Sequence, residues 1–319
     1  MSYAQAALRA LPSTPNNIPA FFFSHGSPML AMAVSNTGGP RQSAMTQMGS
    51  RGPLAEFLRE FGPTLLEKYQ PKGILVFSAH WETCGERLVT DYGIENPLLM
   101  DYFGFSDDMY KLKFTSRGDT LLAQRVVSLF QQAGLKARTS PRDETRGDDG
   151  RGFEGPGLDH GVFVPFRLMF GEHFTDIPIV QASIDGNLKP EDNWKIGEAV
   201  RKLRREGILI LSGGLVIHNL RDFSAFSPDA AAPPYKAFDK AIHEAIAVPE
   251  PEDRKKALVD LTRHPGFRAA HPREEHFVPL YVAAGAGTAD SESEIPEGQI
   301  KTLSDRYGIP TFAFGVTGL

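Results

Sequence analysis

Cysteine is nearly absent from this chain of 319 residues, and Cys84 is its single copy. No intrachain disulfide can therefore form, which is typical of proteins kept in a reducing compartment. No apolar run approaches the roughly 18–20 residues that a membrane-spanning helix needs. The segment 1–17 lacks the hydrophobic stretch of a secretory signal. We therefore expect a cytoplasmic protein with no membrane partner.

Basic residues are also fewer than acidic ones: the chain has 34 Lys and Arg and 39 Asp and Glu, which gives a net charge of −5. Nucleic-acid-binding domains usually carry an excess of basic residues on one face, so the sequence predicts no nucleic-acid partner. Short motifs for metals and phosphates are missing as well: there is no HExxH, paired CxxC, HxH or GK[ST]. Any metal site must therefore be assembled from distant segments.

Short apolar runs alternate with amphipathic stretches, as in proteins that layer helices on a sheet. The runs that favour buried strands are Ala20–Ser24, Gly73–Ser78, Pro178–Ser183, Ile208–Ser212 and Thr311–Phe314. The stretches with helical spacing and helix start or stop residues are Asp119–Ala133, Pro190–Glu206 and Pro234–Val248. This alternation predicts an α/β fold with a largely parallel or mixed sheet.

Two polar stretches interrupt this pattern, Ala31–Gly52 and Ser140–Gly157. Both are predicted to be surface loops rather than linkers, because strand-like segments continue on either side. Long loops in a compact domain often border a binding site. We expect a single domain over 1–319, with a flexible amino-terminal segment at 1–17 and loop insertions at 31–52 and 140–157.

Histidines mark the places where predicted strands end or apolar runs begin. Those in such settings are His25, His80, His160, His218 and His276. Ligands of open α/β sheets bind outside the carboxyl ends of the strands, so several histidines there suggest a shared site. A lone histidine in such a place is more often a hydrogen-bonded structural residue, and His173, His243 and His264 are interpreted that way. His271 stays open between the two interpretations.

Five motifs containing these histidines resemble the class III extradiol ring-cleaving dioxygenases, in particular the DOPA 4,5-dioxygenase-type branch of the LigB-like superfamily. They are HGSPM at His25, SAHW at His80, DHG followed by VP at His160, GGLVIHNL at His218 and EHFVPL at His276. They occur in the family's order from about Pro19 to about Gly285. The resemblance implies a three-layer α/β/α fold with a central mixed, largely parallel sheet.

The resemblance also implies a site and a reaction. His25, His80 and His276 would bind a mononuclear Fe(II), and Zn(II) is an alternative occupant of the same site. His218 would be the acid–base histidine and His160 the second histidine that moves protons. The substrates would be a small-molecule catechol and O₂, and the product a ring-opened semialdehyde. Glu275 is the alternative third ligand, since relatives active on protocatechuate use a glutamate there.

Several neighbouring residues have two interpretations each. Trp81 is a substrate-binding pocket wall or core filling, and Ser27 shapes the turn after His25 and also reaches the substrate. Asp159 orients an imidazole or caps a loop or helix. The arginines that offer charge to a substrate carboxylate, or are solvated loop residues, are Arg142, Arg146, Arg151 and Arg273.

Other functions stay open at this stage. A Memo-like metal-binding regulator without catalysis is one alternative, and the presence of both His160 and His218 argues against it. A zinc-dependent hydrolase is another, because three histidines can hold a metal that activates water. The particular catechol, the position of ring cleavage and the formation of a homo-oligomer are not specified by the sequence.

Overall fold

A computed structural model of the protein describes residues 2–14, 17–32, 42–146, 153, 155–289 and 298–317. Its strands form one large sheet and one small one. In chain order they are β1 Ala20–Ser24, β2 Gly73–Thr83, β3 Arg87–Asp91, β4 Thr115–Ser116, β5 Ala137–Pro141, β6 His173–Phe174, β7 Ile179–Asp185, β8 Ile208–Gly214, β9 Gln299–Ser304 and β10 Thr311–Val316. The large sheet has the order β5-β3-β7-β2-β8-β1-β10-β9, and β4 pairs with β6.

The centre of the large sheet is parallel; one side ends in antiparallel pairs, and on the other side the parallel pair β5–β3 joins the centre through an antiparallel pair. The pairs β7–β2, β2–β8 and β8–β1 are parallel, whereas β1–β10, β10–β9 and β3–β7 are antiparallel. The predicted mixed, largely parallel sheet is thus confirmed. The carboxyl ends of β2, β8 and β1 meet at one edge, which is where an open α/β sheet binds ligands.

Helices cover both faces of this sheet. They are α1 Tyr3–Arg9, α2 Gln42–Met48, α3 Pro53–Tyr69, α4 Thr120–Gln132, α5 His160–Phe170, α6 Pro190–Val200, α7 Pro233–Ile246, α8 Pro251–Asp260, α9 Phe267–Ala270 and α10 Pro279–Ala286. Short 3₁₀ helices lie at Pro28–Ala31, Met109–Lys111, Arg201–Arg204, Phe223–Phe226 and Leu261–Arg263. None of the helices in the described part of the chain has the length and apolar character needed to cross a membrane.

Alternation along β1 and β8 shows how the layers are built. The rings of Phe21 and Phe23 lie 5.6 Å and 6.3 Å from those of Phe61 in α3 and Phe166 in α5. On the opposite face, the Ser212 hydroxyl of β8 donates to the Pro279 carbonyl at the start of α10. Because successive side chains of a strand point to opposite faces, the sheet is buried on both sides. The result is the expected three-layer α/β/α arrangement.

Most predicted elements are found with shifted ends. Asp119 caps α4 by accepting from the Leu122 N–H at 2.9 Å, and β1 has the predicted bounds. The strand predicted at Gly73–Ser78 continues to Thr83, and the helix predicted at Pro190–Glu206 ends at Val200 before a 3₁₀ turn.

Three loop predictions need correction. The segment 1–17, expected to be flexible, contains α1, whose Leu8 is buried in the core. The predicted loop Ala31–Gly52 contains α2, and its residues 33–41 lie outside the described part of the chain. In the loop predicted at Ser140–Gly157, β5 extends to Pro141 and residues 147–152 and 154 are not described.

Candidate metal centre

Three histidines from separate elements meet at the carboxyl edge of the sheet. His25 directly follows β1, His80 lies in β2, and His276 lies in the turn that leads into α10. Each can offer a ring nitrogen, and these ligand atoms all lie within 4.8 Å of one another. All three residues are buried, with 1–4% of their surface exposed. The motifs at His25, His80 and His276 are therefore brought together as the sequence predicted.

A bulge in β2 presents His80 to this edge. Phe77 pairs with Ala182 of β7, yet Glu82 already pairs with Ile184, so β2 has three residues more than its partner over this interval. Bulges of this kind re-aim side chains next to functional sites. Gly161 of α5 lies directly against the bulge, because a Cβ there would be 2.6 Å from the Ser78 hydroxyl and 2.7 Å from the His80 ring. This contact explains the glycine in the DHG motif.

Glycine is equally required where β8 lies between His25 and His276. A Cβ on Gly214 would lie 2.4 Å from the His276 carbonyl oxygen, a distance that no substituted residue tolerates. The backbone uses this proximity: the Leu215 N–H donates to the His276 carbonyl at 2.8 Å, and the His25 N–H donates to the Gly214 carbonyl at 3.1 Å. The GG of the GGLVIHNL motif therefore ties two of the three histidines to one strand.

The donor set suits a divalent transition metal. Three imidazole nitrogens are the ligands that Zn²⁺, Fe²⁺ and related ions accept readily, and a site with three protein ligands leaves positions open for substrate. Within the described residues, the group that contains both His25 and His80 is completed by His276 and not by Glu275. The geometry thus favours His276 as the third ligand over Glu275.

Glu275 instead contacts two imidazoles. Its Oε1 lies 3.0 Å from Nδ1 of His276 and 3.6 Å from Nδ1 of His218. The His218 and His276 rings are stacked, with centroids 3.4 Å apart and planes inclined by 14°. Since an ionised carboxylate only accepts hydrogen bonds, Nδ1 of His276 carries the proton and Nε2 is left as its lone-pair donor. His218, the predicted acid–base residue, is therefore placed against the candidate metal ligand.

Arg273 links Glu275 to the end of β2. Its guanidinium lies 3.5 Å from the Glu275 carboxylate and donates to that of Glu82 at 2.5 Å. The hydrogen bond that Arg273 donates to Glu82 raises the pKa of Arg273 above its usual value. This arginine is thus held by two carboxylates of the chain itself.

His160 lies on the other side of His80 and shares a carboxylate with it. Asp101 Oδ1 accepts from the His160 backbone N–H and lies 2.8 Å from its Nδ1, whereas Oδ2 lies 3.6 Å from Nδ1 of His80. The His80 and His160 ring centroids are 4.1 Å apart. Asp101 was missed in the sequence because it lies in an irregular segment without a motif.

Asp159 occupies the N-cap position of α5, as one of its two interpretations predicted, although its side chain does not cap the helix. Its carboxylate instead accepts from Ser78 at 2.7 Å, Arg146 at 2.8 Å and Gln181 at 2.6 Å. Asp159 and Arg146 are 0% and 1% exposed. Arg146 is thus a buried ion-pair partner rather than a solvated loop residue.

Trp81 belongs to the core behind the site. It is fully buried, its indole N–H donates to the Arg146 carbonyl at 2.8 Å, and the Arg146 guanidinium lies 4.4 Å from the ring centre. These contacts support the core interpretation and correct its assignment as a substrate contact. Ser27 remains half-buried beside His25, where its hydroxyl accepts from the Met29 N–H.

The loop carrying His218 is held by Asn219 and His271. The Asn219 amide donates to the Ala269 carbonyl at 2.9 Å. His271 is fully buried, and its Nε2 lies 2.8 Å from the Val216 carbonyl, two residues before His218. Burial lowers the pKa of His271 to about 4, so the ring is neutral and Nε2–H is the donor. His271 is therefore a support of the site.

The remaining histidines and arginines lie apart from this cluster. His173 is exposed in β6, His264 accepts from the Gly266 N–H, and His243 packs against Phe312. Arg142 forms an exposed ion pair with Glu95. Arg151 lies outside the described residues.

Comparisons with known proteins agree with this arrangement. Residues 19–316 match the family model described as the catalytic LigB subunit of aromatic ring-opening dioxygenase. A 4,5-DOPA dioxygenase extradiol-like protein of Schizosaccharomyces pombe is 41% identical over 310 residues, covering 97% of this chain and 95% of the relative. The 4,5-DOPA dioxygenase extradiol of Beta vulgaris is 34% identical over 284 residues, covering 89% and 92%.

One solved structure supports the fold. The crystal structure of an uncharacterized protein from Escherichia coli K12 matches with a TM-score of 0.63 over 93% of this chain and 100% of the other, at 23% sequence identity. At that identity the match concerns the fold alone.

The buried ion pair predicts a large difference between two arginines of one segment. Arg146→Met leaves the Asp159 carboxylate buried without its counter-charge, so we expect the free energy of unfolding to fall by about 3–5 kcal/mol. Arg142→Met removes only an exposed ion pair and should cost at most about 1 kcal/mol. Urea denaturation of both variants measures this difference. Equal losses would show that the Asp159 network does not stabilise the fold.

The low pKa of His271 predicts an acid dependence of stability. Its pKa is about 4 in the folded state and about 6.5 when unfolded. The contribution of His271 to the free energy of unfolding is therefore complete above pH 6.5 and is lost as the pH falls towards 4, because over this range only the unfolded chain takes up the proton. The free energy of unfolding falls by about 3 kcal/mol over this range. His271→Gln retains an N–H donor without titrating in this range. In urea denaturation of metal-free protein, the wild-type advantage over this variant should therefore shrink between pH 6.5 and 4; an advantage that is constant with pH would contradict the assignment.

Proposed function

The chain belongs to the LigB family of aromatic ring-opening dioxygenases, and from this premise we propose that it cleaves a catecholic ring by the extradiol route, with O₂ at a mononuclear Fe(II) held by His25, His80 and His276. The resemblance inferred from the five motifs is confirmed by the family match and by the extradiol dioxygenases among the relatives. The protein is thus an oxidoreductase acting on a small aromatic substrate. The observation that carries the metal assignment is the meeting of three buried imidazoles within 4.8 Å.

Bound Fe(II) would supply a centre that holds the catechol and O₂ together and passes electron density between them. The DOPA-type relatives make DOPA the first catechol to test. Caffeate-like and protocatechuate-like catechols are further candidates. Zn(II) fits the same three imidazoles, and would compete for the site without supplying redox chemistry.

His218 is proposed to remove the proton of the catechol hydroxyl. The stacking of its ring on that of His276, a proposed metal ligand, supports this role. Its side chain is 19% exposed, so a proton that it accepts can pass on to solvent. Imidazole suits proton transfer in both directions, because the unperturbed pKa of histidine lies close to neutral pH.

His160 is proposed as the inner proton-transfer residue. Its Nδ1 lies 2.8 Å from Asp101 Oδ1. An ionised carboxylate there favours a proton on Nδ1 and leaves Nε2 as an acceptor. Its side chain is only 8% exposed, which shields it from exchange with bulk water. Ser27, half-buried beside His25, is retained as a proposed substrate contact.

Two other functions receive less support. A regulator that binds metal without catalysis does not need two imidazoles beside the metal ligands, whereas His160 and His218 lie there with their Nδ1 atoms near carboxylates. A zinc hydrolase would be expected outside this family. Oxygen consumption separates the dioxygenase from both alternatives, since neither of them takes up O₂.

Metal binding tests the ligand assignment directly. We expect one Fe(II) or Zn(II) per chain in anaerobic titration, and Glu275→Gln should weaken binding by about 10–100-fold, the usual effect of losing an outer-sphere partner. His25→Ala and His276→Ala remove a ligand and should weaken it more than that. His173→Ala, an exposed histidine in β6, is the control. Retained binding in His276→Ala together with its loss in Glu275→Gln would make Glu275 the ligand.

Oxygen uptake tests the reaction itself. Protein reconstituted anaerobically with Fe(II) should consume O₂ with at least one catechol of the panel and form a ring-opened product. His218→Ala should retain the metal and lose about 10²–10⁴-fold in kcat, the usual contribution of general acid–base catalysis. His173→Ala should keep full activity. Stoichiometric iron without O₂ uptake for any catechol would overturn the proposal.

A further inference from the structure

Asp101 contacts one imidazole proposed to bind the metal and one proposed to move protons. Its Oδ1 accepts from the His160 backbone N–H at 2.8 Å and lies 2.8 Å from Nδ1 of the same residue. Its Oδ2 faces Nδ1 of His80 at 3.6 Å. Its side chain is fully buried, so the contacts are made away from bulk water and are weakly screened.

Building on the proposed function, we propose that Asp101 is a positioning residue that fixes the tautomers of both His80 and His160. An ionised carboxylate accepts hydrogen bonds and cannot donate them. It therefore holds the His160 proton on Nδ1 through a hydrogen bond, and its negative charge favours a proton on the Nδ1 of His80 that faces it at 3.6 Å. Both Nε2 atoms are then left with a lone pair. For His80 that lone pair is the metal donor, and for His160 it is the proton acceptor.

The surroundings of Asp101 hold its carboxylate in place. The His160 backbone N–H that it accepts from is at the start of α5, where the first N–H groups lack helical partners and favour a negative charge. The next residue, Tyr102, donates its hydroxyl to the Met109 carbonyl and places its ring edge-on at 5.6 Å from the His160 ring. Asp101 and His160 thus have fixed relative positions before any metal binds.

The contact of Asp101 Oδ1 with His160 also determines how the side-chain amide of an Asp101→Asn variant would be oriented. In Asp101→Asn the carbonyl oxygen stays where it accepts from the two N–H groups of His160. The NH₂ group then takes the place of Oδ2 and faces Nδ1 of His80. An N–H group that faces Nδ1 of His80 repels a proton on that nitrogen, so the Nε2–H tautomer of His80 is favoured. That tautomer has no lone pair on Nε2 for the metal, which weakens metal binding, while His160 keeps its tautomer.

The test is Zn(II) affinity, measured by competition with a chelator, in Asp101→Asn and in Asp107→Asn. Asp107 is an exposed residue of the same segment, so its variant should bind as the wild type does. We expect Asp101→Asn to bind Zn(II) about 10–100-fold more weakly, with an unchanged circular dichroism spectrum. A folded Asp101→Asn with wild-type affinity would overturn the proposal.

A second measurement uses the wild-type protein and does not depend on how the variant folds. Long-range ¹H–¹⁵N spectra of protein labelled in its histidines, assigned by single substitutions, report which ring nitrogen carries the proton. We expect the Nδ1–H tautomer for His160 in metal-free protein, and for both His80 and His160 with Zn(II) bound. An Nε2–H tautomer of His160 would overturn the assignment.

These readouts separate this proposal from the proposed reaction. If no catechol is oxidised but Asp101→Asn still weakens Zn(II) binding, the positioning role holds and the dioxygenase assignment fails. If O₂ uptake is found and Asp101→Asn binds Zn(II) normally, the dioxygenase holds and the role of Asp101 fails.

Discussion

The arrangement of the site depends on the hydrogen bonds and the ion pair of the buried Asp159 carboxylate. It accepts hydrogen bonds from Ser78 in β2, Gln181 in β7 and Arg146, and it directly precedes α5. An ion pair removed from water is costly to form unless its remaining hydrogen bonds are satisfied, and here the carboxylate has three partners. The same group therefore holds the β2 bulge, its neighbouring strand and the start of α5 in register. His80 and His160 follow from these segments, so their separation is fixed before a metal arrives.

Charge balance explains why carboxylates surround a set of neutral ligands. Three imidazoles leave the two positive charges of a divalent ion uncompensated among its direct protein ligands. Asp101 and Glu275 each lie behind one of these imidazoles and together supply two negative charges. Glu82 and Arg273 are paired with each other and add little net charge. An anionic catecholate can then bind the metal without meeting a carboxylate as a direct ligand.

The sequence revealed the site wherever its parts coincide with strand ends. His25 and His80 follow short apolar runs, and parallel strands bring such ends to one edge, so their meeting could be predicted. The continuation of β2 to Thr83 could not, because it depends on a bulge and renewed pairing with β7. Helix α10 is buried along its whole length and thus lacks the polar face that marks an amphipathic helix. Asp101 lies 21 positions from His80 along the chain, and only the folded chain brings the two residues together.

The two histidines proposed to transfer protons differ in access to water, and this difference suggests a division of their work. His218 is partly exposed to solvent. Its loop is held by the hydrogen bond of Asn219 to the Ala269 carbonyl and by that of the neutral His271 ring to the Val216 carbonyl. His160 lies inside, fixed by Asp101 and covered by Tyr102. A proton leaving the substrate needs a path to solvent, which His218 offers. A proton that must return to the oxidised ring without escaping is better held by His160. His160 contacts Asp101 and His218 contacts Glu275, so the two imidazoles do not share one carboxylate. The two sides of the centre can therefore act in sequence without competing for one proton acceptor.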